Sequence, residues 1–325
     1  MQRLNARLHA IHWLAEGIHG FELRPSDGQT WPAVTAGAHI DLFLPNGLVR
    51  SYSLVNLQGE CHRYVIAASL DPAGRGGSRY LHETLRVGAT VAISAPRNSF
   101  PLRESARHTV FFAGGIGITP LWSMAQHLAY SGGTWELYYA VRARENAAFS
   151  DEFVALAKET GNTVHLNFDG GAKEKMLDIR GIVASCANDV DLYCCGPVPM
   201  LRAFEAACEG RDPARVHREY FAAPQPVTPP EAGAGAGDAF TVILSRTQKR
   251  LVVGPGTNIL EAVLDAGVEV PYSCMSGVCR ACETGILAGI PDHRDLVLSD
   301  AERAAGSTMM ICCSRAQSGE LTLDL

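Results

Sequence analysis

The chain has 325 residues, of which 47% are hydrophobic and 19% charged, with 28 Lys and Arg against 34 Asp and Glu for a net charge of -6. This balance excludes a dominant basic footprint for nucleic acid and the composition of a disordered chain. No apolar run reaches the ~20 residues of a membrane span, and the length predicts two or three domains. The opening stretch Met1–His12 is interrupted by charge and His and lacks the apolar run of a signal peptide. The expectation is a soluble, unexported, cytoplasmic protein with no nucleic-acid or membrane partner.

Residues 1–104 read as short strands separated by turns. Ala38–Leu44 alternates and meets the turn Pro45-Asn46-Gly47; Ser51–Val55, Arg63–Ala68 and Thr90–Ser94 follow. Many short strands at even spacing predict a small antiparallel β-barrel. Two elements in it suit a phosphate. Arg50, in Arg50-Ser51-Tyr52-Ser53, lies on a strand, where a guanidinium clamps phosphate oxygens bidentately. Gly74-Arg75-Gly76-Gly77-Ser78 precedes a helical stretch Arg79–Leu85, and a glycine-rich turn opening a helix presents backbone N–H groups to an anion.

Residues 105–223 alternate strand and helix, which predicts an α/β domain with a parallel sheet covered on both faces. Thr109–Ala113 is a buried-type strand. Gly114-Gly115-Ile116-Gly117-Ile118-Thr119-Pro120 follows it and opens the helical stretch Leu121–Ala129. Glycines there admit a pyrophosphate to the backbone at a helix N-terminus, although an unliganded strand–helix turn has the same local form. Trp135–Val141 and Thr163–Phe168 are further strands. Asp191–Cys195 is the last, before Gly196-Pro197 and the helix Pro199–Ala207. In an open parallel sheet, ligands bind at the strand end that carries Cys194-Cys195-Gly196-Pro197. Residues 224–239, rich in Pro and then in Gly and Ala, read as an exposed linker.

Residues 240–325 open with a hairpin, Phe240–Ser245 and Lys249–Val253. Thr257 is the expected N-cap of a helix Asn258–Ala266 ended by Gly267, and Leu321–Leu325 is a final strand. Ten cysteines punctuate the chain. Without an export signal, metal or redox chemistry outweighs a disulfide framework. Cys274-x4-Cys279-x2-Cys282, with a later cysteine in Met309-Met-Ile-Cys-Cys-Ser314, is the spacing of a plant-type [2Fe-2S] site. Structural zinc draws its ligands from two short knuckles, and only Cys279 and Cys282 make one. Spacing leaves the fourth ligand open between Cys312 and Cys313.

These motifs together resemble the phthalate dioxygenase reductase family nearly end to end, on Arg50–Ser53, Gly74–Ser78, Gly114–Pro120, Cys194–Pro197, the cysteine set and Pro291-Asp-His-Arg-Asp295. The resemblance implies a multidomain reductase: a flavin-binding β-barrel (1–104), an NAD-binding α/β domain (105–223) and a C-terminal α+β, β-grasp ferredoxin domain (240–325). It implies FMN, with FAD as the alternative, held by Arg50, Ser51, Tyr52, Ser53, Ala67, Ala68, Ser69, Arg75, Gly76, Gly77, Ser78 and Thr119. Tyr52 would pack on the ring and Ser53 hydrogen-bond near its reactive nitrogen. Gly114, Gly115, Gly117, Pro120 and Gly196 would hold the pyridine nucleotide, with Cys195 beside its nicotinamide. Phe221 would lie near the flavin and Glu219 would be a polar partner of the site. The metal ligands would be Cys274, Cys279, Cys282 and, by the family pattern, Cys312. The chain departs from that pattern at Arg280, where Gly is common, and the added charge is expected to act on the cluster potential or the docking surface. Ser69 stands where FMN enzymes often carry a basic residue.

The reaction so implied runs from NADH through FMN and [2Fe-2S] to the terminal oxygenase of a Rieske-type system, with the reductase a monomer. Cys195 and Ser53 are the residues expected at the reacting atoms. Arg142 and Arg144, just past the strand Trp135–Val141, leave NADPH as the alternative donor. Two other functions fit fewer motifs: a stand-alone flavin reductase or NADH oxidase with an ancillary cluster, and a zinc-bound or redox-sensing module without turnover.

Overall fold

The computed structural model describes residues 3–45, 47–221 and 239–325. They fall into two compact units, Met1–Phe221 and Ala222–Leu325. The linker expected at 224–239 lies outside the described residues, except for Ala239. No helix among the described residues is long and apolar enough to cross a membrane.

The first unit begins with six strands: β1 (Arg3–Ala15), β2 (Ile18–Pro25), β3 (His39–Phe43), β4 (Val49–Ser53), β5 (Tyr64–Ser69) and β6 (Thr90–Ser94). They form one antiparallel sheet in the order β4-β3-β6-β1-β2-β5. A bridge between Leu54 and Ile66 joins its two edge strands, so the sheet closes as the expected barrel. Closure removes the exposed edges. Strand alternation turns Leu8, Leu23, Ile40, Leu42 and Ile93 into a dry interior. Neither β1 nor β2 is among the strands expected from the sequence, although Leu4, Ala6 and Leu8 alternate with polar Asn5 and Arg7. A short helix α1 (Gly77–Arg79) continues into a π-type turn, Tyr80–Thr84.

A parallel sheet follows: β7 (Thr109–Gly114), β8 (Trp135–Val141), β9 (Thr163–Phe168), β10 (Asp191–Cys195) and β11 (Val216–Glu219), in the order β11-β10-β7-β8-β9. Its connections are α2 (Ile118–Ser131), α3 (Ser150–Thr160), α4 (Ile179–Ser185) and α5 (Val198–Ala207). The chain runs outward from β7 to β9 and then returns to β10. The switch point therefore falls between β7 and β10, where the loops after Gly114 and Cys195 diverge.

A buried acid registers these parts. Asp191, fully buried at the start of β10, accepts from Arg103 (3.3 Å) and from Arg215 (3.2 Å). Arg103 lies in the segment leaving the barrel, and its N–H donates to the Tyr193 hydroxyl at 2.8 Å. Arg215 immediately precedes β11. Barrel and sheet are joined again where Ser123 and Gln126 of α2 donate to the carbonyls of Asn56 and Val55.

The second unit contains β12 (Phe240–Leu244), β13 (Lys249–Val253), α6 (Ile259–Asp265), β14 (Glu283–Ala288), β15 (Pro291–Asp292), α7 (Asp300–Ala305), β16 (Thr308–Met310), β17 (Arg315–Ala316) and β18 (Glu320–Leu323). The main sheet runs β13-β12-β18-β14-β16, with β12 and β18 parallel at its centre and the other pairs antiparallel. This is the expected β-grasp arrangement. The N-cap of α6 is Asn258, not Thr257. Its side chain accepts from the Glu261 N–H, and Glu261 reciprocates to close a capping box.

Replacing Asp191 by Ala removes the acid that Arg103 and Arg215 share, leaving Arg215 only the more distant Asp212 at 3.8 Å. The expected loss is about 3–5 kcal/mol of unfolding free energy, measured by urea denaturation at pH 7.

Candidate functional site

The cation locus expected in the barrel is assembled. Arg50 on β4 crosses Gly77 so closely that a Cβ there would lie 2.6 Å from Arg50 Cγ. Its guanidinium donates to the Arg75 carbonyl at 3.2 Å. Burial, and then the like charge of Arg75, hold the Arg50 pKa below its ordinary value. Two guanidiniums that repel each other beside a glycine turn form a locus that an anion would relieve, which fits a flavin phosphate. Gly76 sits at φ 85, a conformation natural to glycine. The Ser78 hydroxyl accepts from the Asp71 N–H at 3.0 Å. The Ser51 hydroxyl donates to Asp41 at 2.7 Å, so its proton is already engaged. Tyr52 is packed against the barrel core, and burial pushes its phenol up to about 12. Ala67, Ala68 and Ser69 end β5, which abuts the turn 115–117.

Where the barrel meets the sheet, three polar side chains converge. Cys195 at the end of β10 is the register partner of Glu219 at the end of β11. Glu219 hydrogen-bonds Ser53 at the end of β4. Burial raises the Glu219 carboxyl to about 8, against a smaller lowering by the Ser53 contact. Its second oxygen is buried with no hydrogen-bond partner, so the acid is neutral at neutral pH. The Cys195 thiol, fully buried beside it, is pushed well above its usual range, first by burial and then by Glu219. Cys195 is therefore a neutral shape-forming group and not a thiolate nucleophile. Phe221, two residues past Glu219, is exposed.

Glu219 is held by its neighbours. Arg218 forms a 2.5 Å ion pair with Glu205 of α5, and the Tyr220 hydroxyl also bonds Glu205. Both flanking residues grip one carboxylate on the opposite sheet face, and strand alternation turns Glu219 inward.

The glycine turn differs from expectation in one respect. A Cβ at Gly117 would lie 2.2 Å from the Cys195 carbonyl oxygen, and one at Gly114 would lie 2.5 Å from Pro197 Cδ. These two glycines let the loops after β7 and β10 touch each other. Gly115, at φ 53, has open space where a Cβ would lie, while its carbonyl accepts from the buried Tyr139 hydroxyl at 3.2 Å. Gly196 packs as tightly, 3.0 Å from the Gly114 nitrogen to its own would-be Cβ. Thr119 and Pro120 lie buried in the first turn of α2, the Thr119 hydroxyl donating to the Ile116 carbonyl at 3.0 Å. A cavity of about 970 Å³, lined by Gln58, Arg63, Trp122 and Tyr130 among others, includes none of these site residues.

In the second unit the cysteines gather from two segments. Cys274 accepts from the N–H groups of Ser276 and Val278, both at 3.4 Å, and Cys279 accepts from the Cys274 N–H at 3.5 Å. The Cys279 and Cys312 thiols also bond Cys274 and hold it far below its usual pKa. Cys312 meets Cys282 as well. Cys313 bonds Cys312, Ser314 and the Met310 carbonyl, and interacts with Cys274 through charge. The structure thus turns Cys312, not Cys313, toward the other thiols. Thiols from two segments, accepting backbone N–H groups, are the donor set that a dinuclear cluster takes. Met275 and Arg280 in this loop take left-handed φ values of 54 and 55.

Residues 242–317 match the model of a 2Fe-2S iron-sulfur cluster binding domain, and residues 111–206 match that of an oxidoreductase NAD-binding domain. The chain is 52% identical to a protein of Ectopseudomonas oleovorans named phenoxybenzoate dioxygenase subunit beta, over 100% of this chain and 98% of that one. It is 50% identical to tetrachlorobenzoquinone reductase of Sphingobium chlorophenolicum, over 96% and 95% of the two chains. The solved structure of phthalate dioxygenase reductase, described as modular for electron transfer from pyridine nucleotides to [2Fe-2S], superposes with TM-score 0.72 and 37% identity, over 99% of this chain and 98% of that one.

Two outcomes follow from the geometry. Gly117→Ala is expected to cost roughly 3 kcal/mol through overpacking against backbone, and Gly115→Ala about 1 kcal/mol of backbone strain; thermal unfolding ranks them. Glu219 titrates near 4.5 unfolded and about 8 folded, so the folded chain holds an extra proton between those values. Its contribution to stability is present below pH 4.5 and is lost as pH rises toward 8. Glu219→Gln is expected to flatten that fall, and parallel stability–pH curves for the two proteins would mean that the folded acid is ionised.

Proposed function

The chain belongs to the phthalate dioxygenase reductase family, and from that membership we propose that it takes hydride from NADH and delivers single electrons through FMN and a [2Fe-2S] cluster to a terminal oxygenase. The observation that carries the reading is the combination of a buried, neutral Ser53–Glu219–Cys195 site at a nucleotide-binding sheet edge with a four-thiol site in the same chain. A bound flavin supplies the exchange between a two-electron donor and a one-electron acceptor.

The residues do the rest. Arg50 and Arg75 bind the phosphate, and their fork geometry fixes its orientation. Ser53 holds the ring edge, and the neutral Glu219 keeps a proton on the carboxyl that contacts Ser53. Cys195, small and uncharged, shapes the space in which hydride donor and acceptor meet. Cys274, Cys279, Cys282 and Cys312 hold the cluster. We assign flavin binding to residues 1–104, the pyridine nucleotide to 105–223, a linker to 224–239 and the cluster to 240–325, in a cytoplasmic monomer. FMN is favoured over FAD and NADH over NADPH by family membership.

A second reading concerns only the acceptor. The 50% identity to a protein named tetrachlorobenzoquinone reductase supports a quinone in place of the oxygenase.

Anaerobic NADH titration followed by visible absorbance and EPR tests the electron path. Flavin bleaching is expected together with a reduced [2Fe-2S] signal. Cys274→Ser is expected to abolish the EPR signal while flavin bleaching persists. Flavin reduction with the native cluster left oxidised would overturn the path. Steady-state turnover with a benzoquinone as sole acceptor, equal in the native and Cys274→Ser proteins, would favour direct quinone reduction.

A further inference from the structure

Between the second and third cysteines, Arg280 adopts a left-handed backbone, φ 55. For a residue with a Cβ this conformation costs roughly 1–2 kcal/mol. Something must offset it. The Arg280 side chain is 26% exposed and turns inward, away from solvent. Its Nη2 donates to the Val297 carbonyl at 2.7 Å and to Glu302 of α7 at 2.8 Å. Its Nη1 reaches Glu283 at 3.4 Å. The guanidinium is thus paired with two carboxylates.

Glu302 is itself fixed. The same oxygen accepts from the Ser299 N–H at 2.7 Å and the Ser299 hydroxyl at 2.8 Å, completing the capping box that begins α7. Arg280, first among the causes, holds the Glu302 carboxyl down to about 2. The neighbouring Arg303 donates to the carbonyls of Asp295 and Leu298. Asp295, its side chain buried, accepts from the N–H groups of Val297 and Leu298. Leu296 N–H in turn donates to the Gly277 carbonyl at 3.0 Å. One segment, 295–303, therefore clips the cysteine loop twice: at Gly277 by backbone and at Arg280 by side chain.

We propose that Arg280 is a positioning residue of the iron–sulfur site, tying the Cys279–Cys282 turn to α7 through Glu302 and the Val297 carbonyl so that both thiols are held ready for the cluster. This rests on cluster binding by the four cysteines and goes beyond the electron path, since nothing in that path requires residue 280. The tie also sets charge. Glu302 and Glu283 cancel the guanidinium, and net charge beside a cluster moves its potential.

The test uses the full chain with flavin and cluster loaded, and two readouts besides turnover: the rate of cluster bleaching under an iron chelator, and the midpoint potential by EPR-monitored titration. Arg280→Gly accepts the left-handed backbone without strain. It is expected to bleach roughly tenfold faster, the loss of charge-assisted hydrogen bonds worth about one decade, and to shift the potential negative. Glu302→Gln removes one of the two carboxylates facing the guanidinium, leaving Glu283 alone, and is expected to shift the potential positive. Arg280→Lys keeps the charge but not the fork, so it is expected to bleach faster with an unchanged potential. These opposite signs would not follow from a general loss of stability. A native bleaching rate in both Arg280→Gly and Arg280→Lys would overturn the proposal, as would potentials that move the same way in Arg280→Gly and Glu302→Gln. Where Arg280→Gly does not accumulate, the Lys and Gln variants carry the same comparison. A protein that binds no iron in its native form would instead overturn the cluster assignment on which the proposal stands.

Discussion

The first unit depends on a carboxylate that water cannot reach. Asp191 is wholly buried, and its two arginines come from either side of the sheet in sequence. Burial alone would favour its neutral form, and it outweighs the two guanidiniums enough to keep the pKa above its ordinary value. What the arrangement provides is registry. Arg103 belongs to the segment that leaves the barrel, and Arg215 to the turn before β11. Fixing both on the first residue of β10 ties that strand to the segment leaving the barrel and to the start of β11, whose register sets Cys195 beside Glu219. Ser53, the last residue of β4, meets Glu219 through its own hydrogen bond.

That arrangement places an acid where burial disfavours its charge and raises its pKa to about 8. A neutral carboxyl beside a neutral thiol is a soft, uncharged surface, suited to a planar ring that must accept hydride without an adjacent nucleophile competing for it. The opposite face of the sheet supplies the rigidity. Arg218 and Tyr220 both hold Glu205, so Glu219 sits between two anchored neighbours. A rotation of the strand that released the acid would break both contacts.

The local features of the chain were legible and the convergent ones were not. Cysteine spacing is a property of one short loop and one later turn, so the candidate thiols could be read directly, and the Cys194–Pro197 stretch could be placed at a strand end by alternation. Asp191 could not be read, because its partners are 88 and 24 residues distant. Gly114 and Gly117 are expected at the nucleotide, and the structure adds a packing demand for glycine at both, against Pro197 and Cys195. That demand exists only once two loops meet. The preference for Cys312 over Cys313 needed the direction of each thiol, which spacing does not carry. One element was legible from sequence and went unread: Ser299-Asp-Ala-Glu302 is a capping-box pattern that marks the start of α7.

The two sites solve the same problem in different ways. Each needs several groups from distant segments held to within a fraction of an ångström. The acid–thiol site is built on strand ends, where backbone ladders fix position and side chains add little but registry. The cysteine loop has no ladder. It is a run of turns with left-handed residues at 275, 277 and 280, so its geometry has to be imposed from outside. N–H groups aimed at sulfur do part of this, and α7 does the rest through Glu302 and Arg303. A loop held by side chains can be retuned by changing one of them, and a loop held by a ladder cannot. The braced construction therefore concentrates on residues 280 and 302 the freedom to adjust a metal centre while the β-grasp sheet behind it stays as it is.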